Sequence, residues 1–340
     1  MTAKPRYLSI QYLRAIAALM VVFHHLRDPK PWLYNPFENF SFGAYGVEIF
    51  FVISGFVIYT AARQEPVGEF VRRRIIRVVP LYWLATAGYI AIDAVSHGVA
   101  YQAASLETIV KSFLFIPHFH PLLTDQVLPY LIPGWSLNYE MFFYALFAVT
   151  AAFGAYRLGI LLVLLVLLVA LGALLSPLHS PLALTYTNPL ILLFGAGLLI
   201  AYGERLGRLP KAAALLLFIS APAVLAIDWL SGSMLHLLPA IGLTLGFVAL
   251  EHHRRLGEVR LLRLIGDASY AIYLSHFLII RIVVVLVQHL PLSGPPQFII
   301  LLATGLAGSI VFGIAVHLLV EKPLIRLFNR RLLRKRQLPA

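Results

Sequence analysis

The chain has 340 residues, of which 60% are hydrophobic and only 12% are charged. A soluble domain carries about a quarter charged residues, and a mean hydropathy of +0.84 exceeds what a water-soluble globule can bury. Soluble enzymes, coiled coils, disordered chains and secreted disulfide scaffolds are therefore disfavoured, and the absence of cysteine excludes Cys-ligated zinc and a thiol nucleophile.

The first apolar stretch, residues 9–26, follows Lys4 and Arg6 and partly resembles a signal peptide. Arg14 interrupts the stretch, however, and no small-residue cleavage site precedes the next polar loop. We therefore expect it to be retained as a first membrane span.

Further apolar stretches of about 20 residues predict an all-α, polytopic membrane protein: one integral-membrane domain, a bundle of about ten transmembrane helices. The predicted spans are residues 9–26, 44–62, 77–95, 134–154, 157–175, 187–203, 211–229, 234–250, 268–289 and 297–320. The stretch 106–116 is apolar but is ended by Pro117, and we expect a re-entrant or interfacial element within the long outer loop 96–133.

The formal net charge of +12 would suggest nucleic acid as a partner of a soluble protein. With ten spans and both termini in the cytoplasm, however, most of the 27 Lys and Arg residues fall in cytoplasmic segments. Only Arg27, Lys30 and Lys111 fall in segments on the outer side of the membrane, and Arg14 and Arg281 lie within spans. Membrane topology explains this distribution, so we predict a multi-pass protein in contact with membrane lipid and no nucleic-acid partner.

Ionisable side chains within spans are costly and are candidates for function. Arg14 and His25 are eleven residues apart, which on an α-helix is three turns plus about 20°, so both face the same side, about 16 Å apart along the axis. This predicts a cation toward the inner side and an imidazole toward the outer side of one face. The alternative is that Arg14 snorkels to the interface and His25 caps the helix.

Glu48 begins the second span at a depth similar to that of His25. An adjacent carboxylate would orient the imidazole and raise its basicity, although an interfacial acid is the simpler alternative. Ser54 and Gly55 follow in the same span and permit close helix packing; Ser54 is also a candidate site residue.

Arg74 and Arg77 are three residues apart at the entry of the third span and share one helix face. Two guanidinium groups in this position would bind the phosphates of a nucleotide-like cytosolic ligand. A purely topogenic cluster is the alternative. The other candidate site residues lie at or within later spans and are Trp135, Glu140, His276 and Glu321.

These motifs, in this order, resemble the membrane-bound acyltransferase-3 family over nearly the whole chain. Within that family the opening, from Ile10 to His25, is most similar to exopolysaccharide O-acetyltransferases. Many members carry Asp where this chain has Glu48. The matching elements are Tyr12-Leu13-Arg14 with His25, Gly46 to Phe51 running into Ser54-Gly55-Phe56, Arg74-Ile75-Ile76-Arg77, Trp135-Ser136-Leu137 with Glu140, Tyr273-Leu274-Ser275-His276, and Glu321 with Pro323.

The resemblance implies an enzyme of the bacterial inner membrane that moves an acyl group, expected to be acetyl, from cytosolic acyl-CoA as co-substrate to a carbohydrate hydroxyl. It also implies that Arg14, His25, Arg74 and Arg77 are functional. The combined hypothesis places CoA phosphates on Arg74 and Arg77, the pantetheine arm along Arg14, and His25 as general base with Glu48 holding its ring.

Arg14 is also a catalytic candidate, as a donor to the oxyanion. Direct transfer is preferred because the chain has no cysteine; an acyl intermediate on Ser54 or on a histidine is the alternative. No metal is expected.

The expected acceptor is exopolysaccharide or a lipid-linked glycan; O-antigen and small glycosides are alternatives. Buried Arg, Glu and His side chains would serve a transporter or proton pathway equally well. No inverted repeat or paired broken helices are visible in the sequence, which disfavours that class. A purely structural membrane subunit gives no reason for so many charges within spans.

Overall fold

The computed structural model describes residues 7–27, 34–37, 42–62, 65–97, 105–210, 215, 234–253 and 256–335. Within these residues the regular secondary structure is helical, and one isolated β-bridge joins Phe119 and Val127. The all-α prediction is therefore confirmed for the described part of the chain. The predicted span 211–229 lies outside the described residues, apart from Leu215.

The α-helices are numbered in chain order over the described residues. They are α1 (Leu8–Leu26), α2 (Tyr45–Ala62), α3 (Val67–His97), α4 (Leu106–Phe113), α5 (Trp135–Val149), α6 (Arg157–Leu174), α7 (Pro181–Tyr186), α8 (Leu192–Arg205), α9 (Leu238–His253), α10 (Arg260–Gln288), α11 (Gly294–Val316) and α12 (Lys322–Lys335). A 3₁₀ segment, Thr150–Tyr156, joins α5 to α6, and a π-helical turn, His317–Glu321, joins α11 to α12.

Five helical segments of the described chain are long and apolar enough to cross a membrane, and Tyr45–Ala61 is a shorter apolar helix. The five are Leu8–Leu26, Val67–Ile92, Ile132–Leu174, Arg260–Gln288 and Gly294–Asn329. A multi-pass helical membrane protein is thus confirmed, whereas five such segments do not establish a count of ten.

One of these segments, Ile132–Leu174, has 43 residues, about twice the length that a single span needs. Gly154 interrupts it with a positive φ of 53°, a conformation that glycine adopts without a steric penalty. After this break, Arg157 donates hydrogen bonds to the carbonyl oxygen of Phe147 at 3.2 and 2.5 Å. The side chain thereby satisfies a carbonyl at the end of α5 and marks the boundary between α5 and α6.

The described residues divide into two compact units, Met1–Arg63 with Leu193–His317 (unit 1) and Gln64–Leu192 with Leu318–Ala340 (unit 2). In unit 1, α2 and α8 cross at a reciprocal pair of glycines. A Cβ atom on Gly55 would lie 2.0 Å from the carbonyl oxygen of Phe194, and one on Gly197 would lie 2.0 Å from that of Val52. The two backbones touch, as small residues permit in membrane helices.

The start of α1 is held by a carboxylate from α9. Glu251 accepts hydrogen bonds from the backbone N–H groups of Leu8 and Ser9, both at 2.9 Å, and from the Ser9 hydroxyl. These N–H groups have no partner within the helix, and a negative charge is favourable at a helix N-terminus. Tyr12 adds a second anchor by donating to the carbonyl oxygen of Gly257 at 2.6 Å. Helix α1 is therefore fixed against its neighbours at this end.

In unit 2, the stretch 106–116 contains α4, whose eight residues extend only about 12 Å. Tyr82 and Trp83 of α3 donate hydrogen bonds to the carbonyl oxygens of Ser112 and Phe113, at 2.9 and 2.8 Å. Burial lowers the pKa of His118 in the following loop, so this imidazole is neutral at pH 7. Helix α4 is too short to cross a bilayer and is fixed to α3 at its C-terminal end.

The crossing of α2 and α8 predicts that Gly197→Ala lowers the free energy of unfolding by about 1–3 kcal/mol, because the methyl group overlaps backbone atoms that cannot move aside. Gly159→Ala is the matched control, since no atom lies within 4 Å of a Cβ built there. Thermal unfolding of the detergent-purified variants measures the difference. Equal melting temperatures for the two variants would contradict the close crossing.

Candidate active site

Arg14 and His25 both meet the same neighbouring helix of unit 1. The Nε–H of Arg14 donates to the hydroxyl of Ser269 at 3.1 Å, and the ring of His25 lies 5.2 Å from the ring of His276, centroid to centroid. Ser269 and His276 are seven residues apart on α10, two helical turns less about 20°, so they share a face as well. The cation and the imidazole of α1 therefore lie along the interface with α10.

Gly266 allows α1 and α10 to pack closely at this interface. A Cβ atom on Gly266 would lie 2.1 Å from the carbonyl oxygen of Gln11, so the backbones of α1 and α10 touch one turn before Arg14 and Ser269. From Gln11 to His25 and from Gly266 to His276 the contacts advance together along both helices. Helices α1 and α10 therefore run in the same direction.

His276 is fully buried, and its hydrogen bonding defines its tautomer. Nδ1 lies 2.7 Å from the carbonyl oxygen of Tyr273; because a carbonyl only accepts, Nδ1 carries the proton. A charged imidazolium is costly at full burial, so the ring is neutral and Nε2 presents a lone pair. This atom is buried and has no hydrogen-bond partner among the described residues.

The ring of His25 is half-buried and is surrounded by other rings. Besides His276, it contacts Phe277 at 4.6 Å and His24 at 5.1 Å between ring centroids. Within the described part of the chain, His25 has no carboxylate within ion-pairing distance. Its ring nitrogens are thus not committed to a neighbouring acid.

Glu48 has a different neighbour from the one expected. Its Oε1 lies 4.0 Å from Nε2 of His236, which belongs to the 3₁₀ turn Met234–Leu237 before α9. Its Oε2 is buried without a hydrogen bond from any described residue. The structure therefore pairs Glu48 with His236 rather than with His25.

In unit 2, the four arginines at the start of α3 are held in different ways. Arg72 is paired with Glu69 and donates to the side-chain oxygen of Asn329 at 3.2 Å. Arg73 lies 2.9 Å from both Glu65 and Glu69. These two guanidinium groups are therefore engaged by carboxylates.

The next two arginines lie outside this acidic cluster. The guanidinium of Arg74 lies over the rings of Phe70 and Tyr144, 5.6 and 5.7 Å from their centroids, and its Nε is buried without a hydrogen-bond partner among the described residues. Arg77 is half-buried one turn further along α3. Aromatic faces attract a cation without neutralising it, so Arg74 keeps its charge for an anion.

The other predicted site residues are distributed over both units. Ser54 is half-buried beside Gly55 in α2. In α5, Trp135 packs edge-on against Tyr139 at 5.8 Å, and Glu140 accepts a hydrogen bond from Tyr144, the residue whose ring lies beneath Arg74. Glu321 is buried in the π-helical turn. No cluster of three or more His, Asp or Glu side chains suited to a metal ion is present among the described residues.

Sequence reasoning did not single out Ser269 or His236. The signal for Ser269 was its spacing of seven residues from His276, which repeats one helix face. No comparable signal pointed to His236, because it precedes a helix and its orientation depends on the packing of α9 against α2.

Comparison with known proteins identifies the family of the chain. The model of a protein family described as "Acyltransferase domain" (acyltransferase 3) matches residues 7–314. The chain belongs to the acyltransferase-3 family. Within the comparison with curated proteins, the chain is similar to "Exopolysaccharide production protein ExoZ" of Rhizobium meliloti (strain 1021), at 34% identity over 297 residues. The match covers 85% of this chain and 92% of the relative, and no solved structure matches the chain.

Proposed function

We propose that this acyltransferase moves an acetyl group from cytosolic acetyl-CoA to a hydroxyl of an exported carbohydrate, with exopolysaccharide as the first candidate. The observation that carries the proposal is the half-buried imidazole of His25, which packs against His276 and Phe277 of α10 and has no carboxylate of a described residue within ion-pairing distance. A neutral imidazole with an uncommitted lone pair is the group that a hydroxyl acceptor needs as general base. The alternative acceptors are O-antigen and small glycosides.

The proposed chemistry is direct transfer. His25 takes the proton of the acceptor hydroxyl as its oxygen attacks the thioester carbonyl. The new C–O bond forms, the C–S bond breaks, and the proton passes from the imidazolium to the departing CoA thiolate. Arg14, bound to Ser269 about 16 Å along α1 from His25, is assigned to the path of the CoA arm.

Phosphate binding is assigned to Arg74 and Arg77 of unit 2. Support comes from the contrast within one cluster: Arg72 and Arg73 are engaged by Glu65 and Glu69, whereas Arg74 is held by aromatic rings. A guanidinium without a carboxylate partner retains hydrogen-bond donors that fit phosphate oxygens. The buried Nε of Arg74, which lacks a partner among the described residues, supports the same assignment.

The acceptor is proposed from the name of a relative, and the location is proposed from the distribution of basic residues. The name of the Rhizobium relative refers to exopolysaccharide production, which supports an exported polysaccharide or a lipid-linked glycan precursor. Basic residues dominate the segments assigned to the cytoplasm, including Arg72 to Arg77 and the sequence of α12. This distribution supports insertion in a bacterial inner membrane with both termini in the cytoplasm.

His25→Ala is expected to lower kcat for acetyl transfer by about 10²–10⁴-fold, the usual contribution of a general base. The assay combines detergent-purified protein, acetyl-CoA and alkali-deacetylated exopolysaccharide of the host strain. It follows CoA thiol release, with no protein background because the chain has no cysteine, together with O-acetyl groups by NMR.

His24→Ala is the matched control, because it removes an adjacent imidazole from the same end of α1. It is expected to stay within a few-fold of wild type. Near-normal turnover of correctly inserted His25→Ala would remove His25 from the role of base. Absence of CoA release by the wild-type protein would favour a transporter or another non-enzymatic function.

Arg74→Gln combined with Arg77→Gln is expected to raise KM for acetyl-CoA by about 10–100-fold, because two charge-assisted contacts to phosphate are lost. Arg72→Gln combined with Arg73→Gln removes the same charge from the same helix and is expected to change KM little, since carboxylates already engage these groups.

Acetyl-3′-dephospho-CoA, which lacks the 3′-phosphate, tests whether the arginine pair binds that phosphate. Wild type should prefer acetyl-CoA over the dephospho compound, and the Arg74/Arg77 variant should lose that preference if the pair binds the 3′-phosphate. Equal KM values for the two double variants would leave these arginines with a topogenic role only.

A further inference from the structure

We propose that His276 is a positioning residue that acts through His25: its buried Nε2 accepts a hydrogen bond from one ring nitrogen of His25. The inference rests on the proposed function, since it gives the general base of that reaction its orienting partner. It is carried by the contact between the two rings and by the unpaired nitrogen of His276.

The hydrogen bonding of His276 leaves only one role open to its Nε2. The carbonyl oxygen of Tyr273 fixes the proton on Nδ1, and burial favours the neutral ring, so Nε2 is an acceptor. Full burial of the side chain keeps that acceptor from bulk water, and no described residue donates to it. Buried polar atoms are rarely left unpaired in native proteins, and each one requires an explanation. A donor that reaches Nε2 during the catalytic cycle provides that explanation.

His25 is placed to be that donor. The two ring centroids are 5.2 Å apart with an interplanar angle of 32°. At this separation, ring nitrogens that point toward each other are about 3 Å apart, which is hydrogen-bonding distance. The two rings are not hydrogen-bonded to each other in the structure, but the half-buried ring of His25 can rotate without giving up a hydrogen bond to another described residue.

The backbone contact between α1 and α10 fixes the distance between the two imidazoles. Gly266 brings the two helices together at Gln11, and the Arg14–Ser269 hydrogen bond lies between that point and the imidazoles. Phe277 adds a side wall, since its ring lies 4.6 Å from that of His25 and 5.1 Å from that of His276. The pair is therefore built on two rigid helices rather than on loops.

The hydrogen bond would define the working tautomer of His25. When one nitrogen donates its proton to Nε2 of His276, the other presents its lone pair to the acceptor hydroxyl. After that hydroxyl proton arrives, the imidazolium still donates to His276 and then returns the new proton to the CoA thiolate. The proton that His25 shares with His276 stays on His25 throughout, so His276 acts on the orientation of His25 without joining the bond changes.

The test compares His276→Gln, which keeps a side-chain acceptor, with His276→Leu, which does not. With acetyl-CoA and alkali-deacetylated exopolysaccharide, His276→Leu should lower kcat by about 10–100-fold with little change in KM for acetyl-CoA, and His276→Gln should recover a large part of the loss. Ser275→Ala is the matched control on the same turn, because among the described residues its hydroxyl bonds only to the carbonyl oxygen of Ala271.

A double-mutant cycle separates positioning from general stability. In the His25→Ala background, adding His276→Leu should cost little further activity, because the residue through which it acts is already absent. Full additivity, equal losses for the Gln and Leu variants, or wild-type activity of His276→Leu would each overturn the inference while leaving the proposed function intact. An inactive wild-type protein would overturn both.

Discussion

The close contact of α1 with α10 is the constraint on which the candidate site of unit 1 depends. Because Gly266 has no side chain, the backbone of α10 reaches the carbonyl oxygen of Gln11. A larger residue would push the helices apart and separate Arg14 from Ser269 and His25 from His276. Polar groups within a membrane are costly unless they are paired, so the glycine that permits the packing also permits the polar side chains to be there.

Unit 2 shows a related use of packing to control charge. Four arginines occur within six residues of α3, yet Arg72 and Arg73 are engaged by carboxylates and Arg74 by aromatic faces. A carboxylate lowers the local positive potential, whereas a ring holds the cation in place and leaves its charge intact. One cluster can therefore serve both membrane topology and, in the proposed function, phosphate binding.

Helix geometry decided which features could be predicted from the sequence. Arg14 and His25 lie on one continuous helix, where the rotation per residue is fixed, and both indeed meet α10. Glu48 lies on another helix, and the sequence indicates its depth but not the direction in which its side chain points. Depth alone suggested His25 as its neighbour, while the packing of α2 and α9 places it beside His236. Ser269 was missed for the same reason, since its partner depends on how two helices are rotated.

The pairing of two imidazoles, instead of an imidazole with a carboxylate, has a physical rationale within a membrane. A buried carboxylate must stay ionised to orient a base, and its desolvation is expensive unless further donors surround it. In the proposed pair, the neutral His276 would accept a hydrogen bond without a buried charge, and the backbone carbonyl of Tyr273 fixes its tautomer. A neutral His276 stabilises the imidazolium form of His25 less than a carboxylate would. In the proposed mechanism, His25 therefore gives up its proton readily. This suits a base that must pass its proton to a thiolate in every cycle.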